Sequence, residues 1–159
     1  NLGLYSAHIP LDLHPVYGNN RALADLIGLQ NLETFGEYDG LKIGLKGLLP
    51  AISTEKLAEL LEEKLDTTIK VIGKGEVKTV GLVTGGAADI VQQAIQDGLN
   101  CYITGEGANH HFHEATEGNC ILIFAGHYAT ETGGVKSIGK HLKEKLKIAS
   151  EFLHYPTGL

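Results

Sequence analysis

The chain has no methionine, only two cysteines and four prolines, and thirteen basic side chains against nineteen acidic ones. Each scarcity closes off a class of protein. A formal net charge of −6 leaves no basic surface to grip the phosphates of nucleic acid, which takes clustered Lys and Arg. The one basic run, Lys140 to Lys147, is interrupted by Glu144 and reads as the solvated face of a helix. No apolar stretch reaches the ~20 residues of a membrane-spanning helix, and no signal peptide is visible, so a membrane is no more expected than nucleic acid. Cys101 and Cys120 form neither a CxxC unit nor a disulfide framework. Each opens an apolar run, where a buried free thiol is expected, and a reducing, cytoplasmic setting follows. The missing methionine goes with an opening, "NLGLYSAHIP", that already lies inside an apolar, strand-like run. The expectation is a chain that has lost an N-terminal segment, or a fragment of something longer.

What is present is an ordinary globular composition: 159 residues, 43% hydrophobic and 20% charged, enough for one substantial core or two small lobes sharing one. Apolar periodicity predicts strands at 2–7, in "TFGEYD" and "LKIGLKGLL" (a pair ended by Pro50), in "TIKVIG" and "TVGLVTGG", at 101–106 and 120–126, and in "ASEFLHY" near the end. Between them it predicts a helix in "NNRALADLIGL" capped by Asn19 or Asn20, and another in "STEKLAELLEEKLD" with Ser53 or Thr54 as cap and Leu57, Leu60, Leu61 and Leu65 as its apolar stripe. Further helices are expected at 87–97, through the histidine-rich segment to Glu117, and at 132–147. Strands alternating with helices predict an α/β layered fold with a largely parallel sheet.

Two strand ends echo each other. "YSAHIPLD" and "FAGHYATE" each carry an aromatic residue, two small residues, a histidine and a carboxylate four positions on: His8 with Asp12, His127 with Glu131. In an open α/β sheet, ligands bind at the carboxyl ends of strands. Imidazole nitrogen and carboxylate oxygen are the usual ligands of Zn²⁺, Mn²⁺ or Fe²⁺. A helix starting just after His127 brings Glu131 back onto its face, whereas Pro10 predicts that His8 and Asp12 are arranged as a loop. The spacing alone leaves two readings: metal ligands, or hydrogen-bonded residues closing two strands.

These stretches, "GLYSAHIPLDLHPVYGNNRALADLIGL", "CYITGE", "HEATEGN" and "AGHYATETGGVKSI", resemble the Nif-three-like family of dinuclear-metal-centre proteins, homologues of type-two GTP cyclohydrolase I. The match runs in order from residue 1 to about 155. The resemblance implies an α/β protein of two intertwined lobes, a toroidal hexamer, and two divalent metal ions (Zn, Fe or Mn) per subunit. It implies that Asp12, His127 and Glu131 are metal ligands and that His8 stands near the site. The family's paired-histidine motif has no counterpart in residues 1–7, so about the first third of the family's length, with further ligands, is expected to be missing. The best division puts a metal-bearing lobe at 1–35 plus 119–159 and a middle lobe at 36–118.

"NHHFHEATE" (109–117) is the densest imidazole patch, yet His110 and His113 share a helical face while His111 points elsewhere, so at most two can serve one site. By resemblance His113 matches the family best, as a cavity-lining residue that binds or protonates substrate. Glu106, after a buried strand, reads either as a residue that orients a ligand or acts as a base, or as a charge at a helix start. "VTGGAAD" lacks the GxGxxG spacing and the Walker lysine and reads as a tight strand-to-helix turn in preference to an anion cradle. The expected function is a metal-dependent hydrolase acting on a small molecule, with GTP-type ring opening implied by the resemblance alone. In that reading His113, His8 or Glu106 moves protons. The alternatives are a non-enzymatic metal-binding or assembly protein and an inactive, truncated remnant.

Overall fold

The clearest local signals become the best-formed elements. In the computed structural model, which describes residues 2–157, Ser53 accepts a hydrogen bond from the Lys56 N–H and opens helix α3 (Thr54–Leu65). Leu57 and Leu61 on the inner face of this helix are fully buried. Burial of such a side chain contributes about 1.5–3 kcal/mol. Before it come a single turn α1 (Ile9–Asp12), helix α2 (Asn19–Ile27) and a hairpin of β1 (Gln30–Tyr38) with β2 (Leu41–Ser53). The hairpin turn is Asp39-Gly40, both at positive φ (48° and 78°), which matches the twist of the flanking strands. Strands β3 (Lys70–Ile72) and β4 (Glu76–Leu82), a 3₁₀ turn at Ala88–Ile90 and α4 (Val91–Gln96) follow. Next come β5 (Cys101–Thr104), α5 (His110–Glu117), β6 (Ile121–Phe124), the short α6 (His127–Thr130) and α7 (Thr132–His141).

One six-stranded sheet runs in the order β1-β2-β4-β5-β6-β3. Its two faces alternate by residue. Cys101, Ile103, Ile121 and Ile123 point to a core shared with α2 and α3, whereas Tyr102 and Leu122 point to a second core shared with α4 and α5. The result is a three-layer α/β architecture, with central strands buried on both faces and therefore apolar nearly throughout.

Several expectations need correction. The sheet is mixed: only β4-β5 and β5-β6 are parallel, while β1-β2, β2-β4 and β3-β6 are antiparallel. The predicted strands at 2–7 and in 149–155 are not strands. Among the described residues neither has a ladder partner, and Leu2, Leu4 and Tyr5 are exposed. Apolar character alone does not make a strand when no neighbour takes its N–H and C=O groups. Pro50 does not end β2; it sits where the β2–β4 register shifts between Leu48 and Ile52, an irregularity that tolerates a residue without an N–H. The predicted helix 132–147 is regular only to His141, then widens into a π turn (Leu142–Leu146) closed by Lys147 at φ 59°. Among the described residues no helix is long and apolar enough to cross a membrane.

Candidate metal centre

Three neighbouring strands end at one edge in the same way. β4 runs into Thr84-Gly85, β5 into Gly105-Glu106 and β6 into Gly126-His127. The Gly105 N–H donates to the Gly85 carbonyl (2.7 Å) and the Gly126 N–H to the Gly105 carbonyl (2.8 Å), so the parallel ladder continues past the strands. Gly85 is required for two reasons: its φ of +73° is left-handed, and a Cβ there would collide with the Glu131 carboxylate. "VTGGAAD" is thus the tight turn expected, and it opens the floor on which the acidic groups sit.

Asp12 arrives from outside the sheet. Contrary to expectation, Ile9–Asp12 is helical, because Pro10 lies in the first turn, where an N–H has no acceptor to miss. The Asp12 N–H reaches the His8 carbonyl (3.3 Å), placing the two side chains on one face. Asn19 then fixes the carboxylate: its Nδ2 donates to Asp12 Oδ1 (2.6 Å) while its Oδ1 accepts from the Gly134 N–H (2.6 Å). Buried Asn20 donates from Nδ2 to the carbonyls of Asp12 (2.9 Å) and Ile43 (2.8 Å) and accepts from the Thr84 N–H (2.9 Å). These asparagines were expected as caps. The cap position belongs to Gly18, and both side chains are committed to the site.

On the other side, the turn of α6 brings Glu131 Oε2 within 3.4 Å of His127 Nε2, as the i,i+4 spacing predicts, and His127 Nδ1 is 2.8 Å from Glu106 Oε1. Ligand atoms of His8, Asp12 and Glu131 all lie within 4.8 Å of one another. His8 therefore stands inside the cluster, not merely near it. His127 abuts the cluster through Glu131, held by Glu106, and Glu106 lies outside α5, before its N-cap Asn109. His113 is on the exposed side of α5 beside Phe112, and the structure does not bring it to this cluster. His111, expected to point away, is buried, with Nε2 2.9 Å from Asp89 Oδ1.

The electrostatics suit a cation. Burial raises the Asp12 carboxyl above the ordinary carboxylate range, against the Asn19 hydrogen bond and the nearby His8 and His127. Burial raises Glu131 as well; Asp12 adds to the shift and His127 opposes it. The hydrogen bond to Glu106 raises His127, with Glu131 reinforcing it and burial opposing. Two half-buried carboxylates pressed together, each resisting ionisation, form a donor set that a divalent ion would satisfy. The imidazole and carboxylate donors of His8, Asp12 and Glu131 fit one such ion.

Beside the cluster, across Glu106, opens a cavity of about 940 Å³ lined in part by Thr67, Lys70, Phe112, Phe124 and Tyr128. It is large enough for a small-molecule ligand and supplies aromatic faces and one ammonium.

Residues 1–156 match the Duf34/NIF3 (NGG1p interacting factor 3) family model. The chain belongs to this family. A "GTP cyclohydrolase 1 type 2 homolog" of Deinococcus radiodurans is 37% identical over 162 residues, covering 100% of this chain and 62% of that protein. One from Pyrococcus abyssi is 40% identical, covering 99% and 64%. Among solved structures, Thermus thermophilus TTHA1606 superposes with a TM-score of 0.85 at 34% identity, covering 98% of this chain and 62% of that one. The protein ybgI, of unknown function, gives 0.86 at 31% identity with the same coverages. The Duf34/NIF3 chain described here thus spans less than two thirds of the length of these relatives.

Proposed function

We propose that this chain binds a divalent metal ion between Asp12 and Glu131, with His8 and His127 as the imidazole donors, and that the centre serves hydrolysis of a small molecule. The observation that carries this reading is the convergence of His8, Asp12 and Glu131 ligand atoms within 4.8 Å at the carboxyl ends of three parallel-running strand ends. GTP cyclohydrolase-type ring opening is the specific reaction suggested by the names of the Deinococcus and Pyrococcus relatives.

Each residue has a part. Asp12, locked by Asn19, and Glu131, packed on Gly85, present the anionic oxygens. A proton on His127 Nδ1 is donated to Glu106, which leaves Nε2 as the face turned toward Glu131 and the ion. A bound ion would supply Lewis acidity and the means to activate water near neutral pH. Glu106 also lines the adjoining cavity, so it can take a proton from a substrate seated there while its other contact holds His127. Lys70 at the same cavity offers a cation to an anionic substrate, and Phe124 and Tyr128 offer surfaces to a planar ring.

The test combines metal analysis with a GTP turnover assay on metal-loaded protein. Ring-opened product that disappears in His127→Ala supports the reading. Tight metal binding with no product under any metal supports a non-enzymatic metal-binding role. Absence of bound metal removes both.

A further inference from the structure

The cavity of about 940 Å³ beside Glu106 is unevenly charged, and its layout narrows what it can hold. Its floor comes from the sheet. In the antiparallel pair of β3 and β6, Lys70 lies directly opposite Phe124, so their side chains are neighbours on one face. Glu106 reaches the same cavity from the continuation of β5, where the ladder runs on past the strand through Gly105. Strand β6 lies between β5 and β3. The carboxylate and the ammonium therefore rise from backbones about 10 Å apart, two strand spacings, with the Phe124 ring between them.

The aromatic groups suit a flat ligand. Gly107 packs so closely on the Phe124 ring that a Cβ there would collide with it, which fixes the ring in place. Phe112, half-exposed on α5, and Tyr128 line the cavity as well. The charge balance is a second, independent observation. Asp66 and Glu106 are both on the lining, and Lys70 is its one ammonium; His154 stands with Nδ1 3.4 Å from the Tyr128 hydroxyl. The chain's single arginine, Arg21, holds Asp25 through Nε (2.9 and 3.0 Å) and is not on this lining. A triphosphate is held by several Lys or Arg side chains, or by a nest of N–H groups at a Gly-rich turn. Here the turn at Gly85 packs against the Glu131 carboxylate, which repels phosphate.

We propose that the ligand of this cavity is a planar heterocycle with N–H donors at one end and a single anionic group at the other, of the class of a nucleoside monophosphate and not a triphosphate. The heterocycle lies against Phe124 and donates an N–H to Glu106, and the one anionic group meets Lys70. The assignment rests on the reading that this cavity serves the metal centre, and it narrows the GTP-type substrate of that reading to one carrying a single phosphate. Because Glu106 also holds His127, this orientation turns the ring, and not the phosphate, toward the metal centre.

Isothermal titration of guanosine, GMP and GTP into the 159-residue chain, stripped of metal with EDTA, reads the cavity without an ion that would itself bind phosphate. GMP should bind at least fivefold more tightly than guanosine, and GTP no more tightly than GMP. Lys70→Ala should bring GMP down to the affinity of guanosine and leave guanosine unchanged, whereas Lys70→Arg keeps the preference for GMP. Glu106→Ala should weaken all three probes by a similar factor. Lys70 is exposed, and circular dichroism checks that each variant folds. Tighter binding of GTP than of GMP, equal affinity for guanosine and GMP, or no binding of any probe overturns the proposal. Metal content is measured separately. The predicted pattern in a chain that takes up no metal removes the metal reading and keeps this ligand class; metal uptake without the pattern does the reverse.

Discussion

Asn19 uses both ends of its amide on the centre, donating to Asp12 Oδ1 and accepting from Gly134 N–H, so it orients the proposed ligand Asp12. Asn19→Ala should weaken metal binding by about 10–100-fold, the usual cost of losing a partner that orients a ligand; calorimetric titration reads this directly. Asn20 has a different role, because its loss leaves two carbonyls and the Thr84 N–H without partners. Asn20→Ala should destabilise the fold by roughly 2–4 kcal/mol, measured as a lowered urea midpoint. Burial pushes the Cys120 thiol up to about 11, from 9.0. The folded chain therefore holds this proton more tightly than the unfolded chain, and stability falls as pH rises from about 9 through 11, by on the order of 2–3 kcal/mol. Urea midpoints at pH 7.5, 9 and 10.5 should fall less steeply in Cys120→Ala than in the parent.

Among the elements, those governed by neighbouring residues are readable from the sequence. The Ser53 cap and the Leu57/Leu61 stripe of α3 depend on contacts a few residues apart, and the Asp39-Gly40 hairpin on turn chemistry. Strand direction depends on which distant strand supplies the ladder, and periodicity carries no such information; hence the mixed sheet and the unpaired segments at 2–7 and 149–155. The carboxylate–histidine echo at His8/Asp12 and His127/Glu131 is legible because the two pairs repeat one four-residue spacing, although Pro10 points to a loop and not a helical turn for the first. What joins the pairs is not legible: Asn19, Asn20 and Gly85 act across long separations and look locally like cap and turn residues. The same applies to Asp89, which meets the histidines of α5 only in three dimensions. At Gly85, where the strand edge meets Glu131, Gly85→Ala should reduce metal affinity at least tenfold and lower stability by 1–3 kcal/mol, because φ and space are both violated; titration and thermal melts on the same variant check the two effects.

At the scale of the molecule, the fold brings α1, the β4–β5–β6 edge and α6 to one place, so the proposed ion would couple to folding through the same contacts. An ion that binds only the folded chain, at 100 times its dissociation constant, stabilises it by about 2.7 kcal/mol. A rise in melting temperature with added metal, reversed by a chelator, is expected. The family relationship places this architecture among Duf34/NIF3 proteins, of whose length the chain spans less than two thirds. The central claim is local to this chain's own residues: that Asp12 and Glu131, with His8 and His127, hold a cation. Anomalous diffraction at the absorption edge of Zn²⁺ or Mn²⁺, from crystals of the metal-loaded chain, tests it most directly. The account predicts a peak about 2.0–2.3 Å from carboxylate oxygens of both Asp12 and Glu131. A metal-loaded crystal with no anomalous peak between those two residues would contradict it.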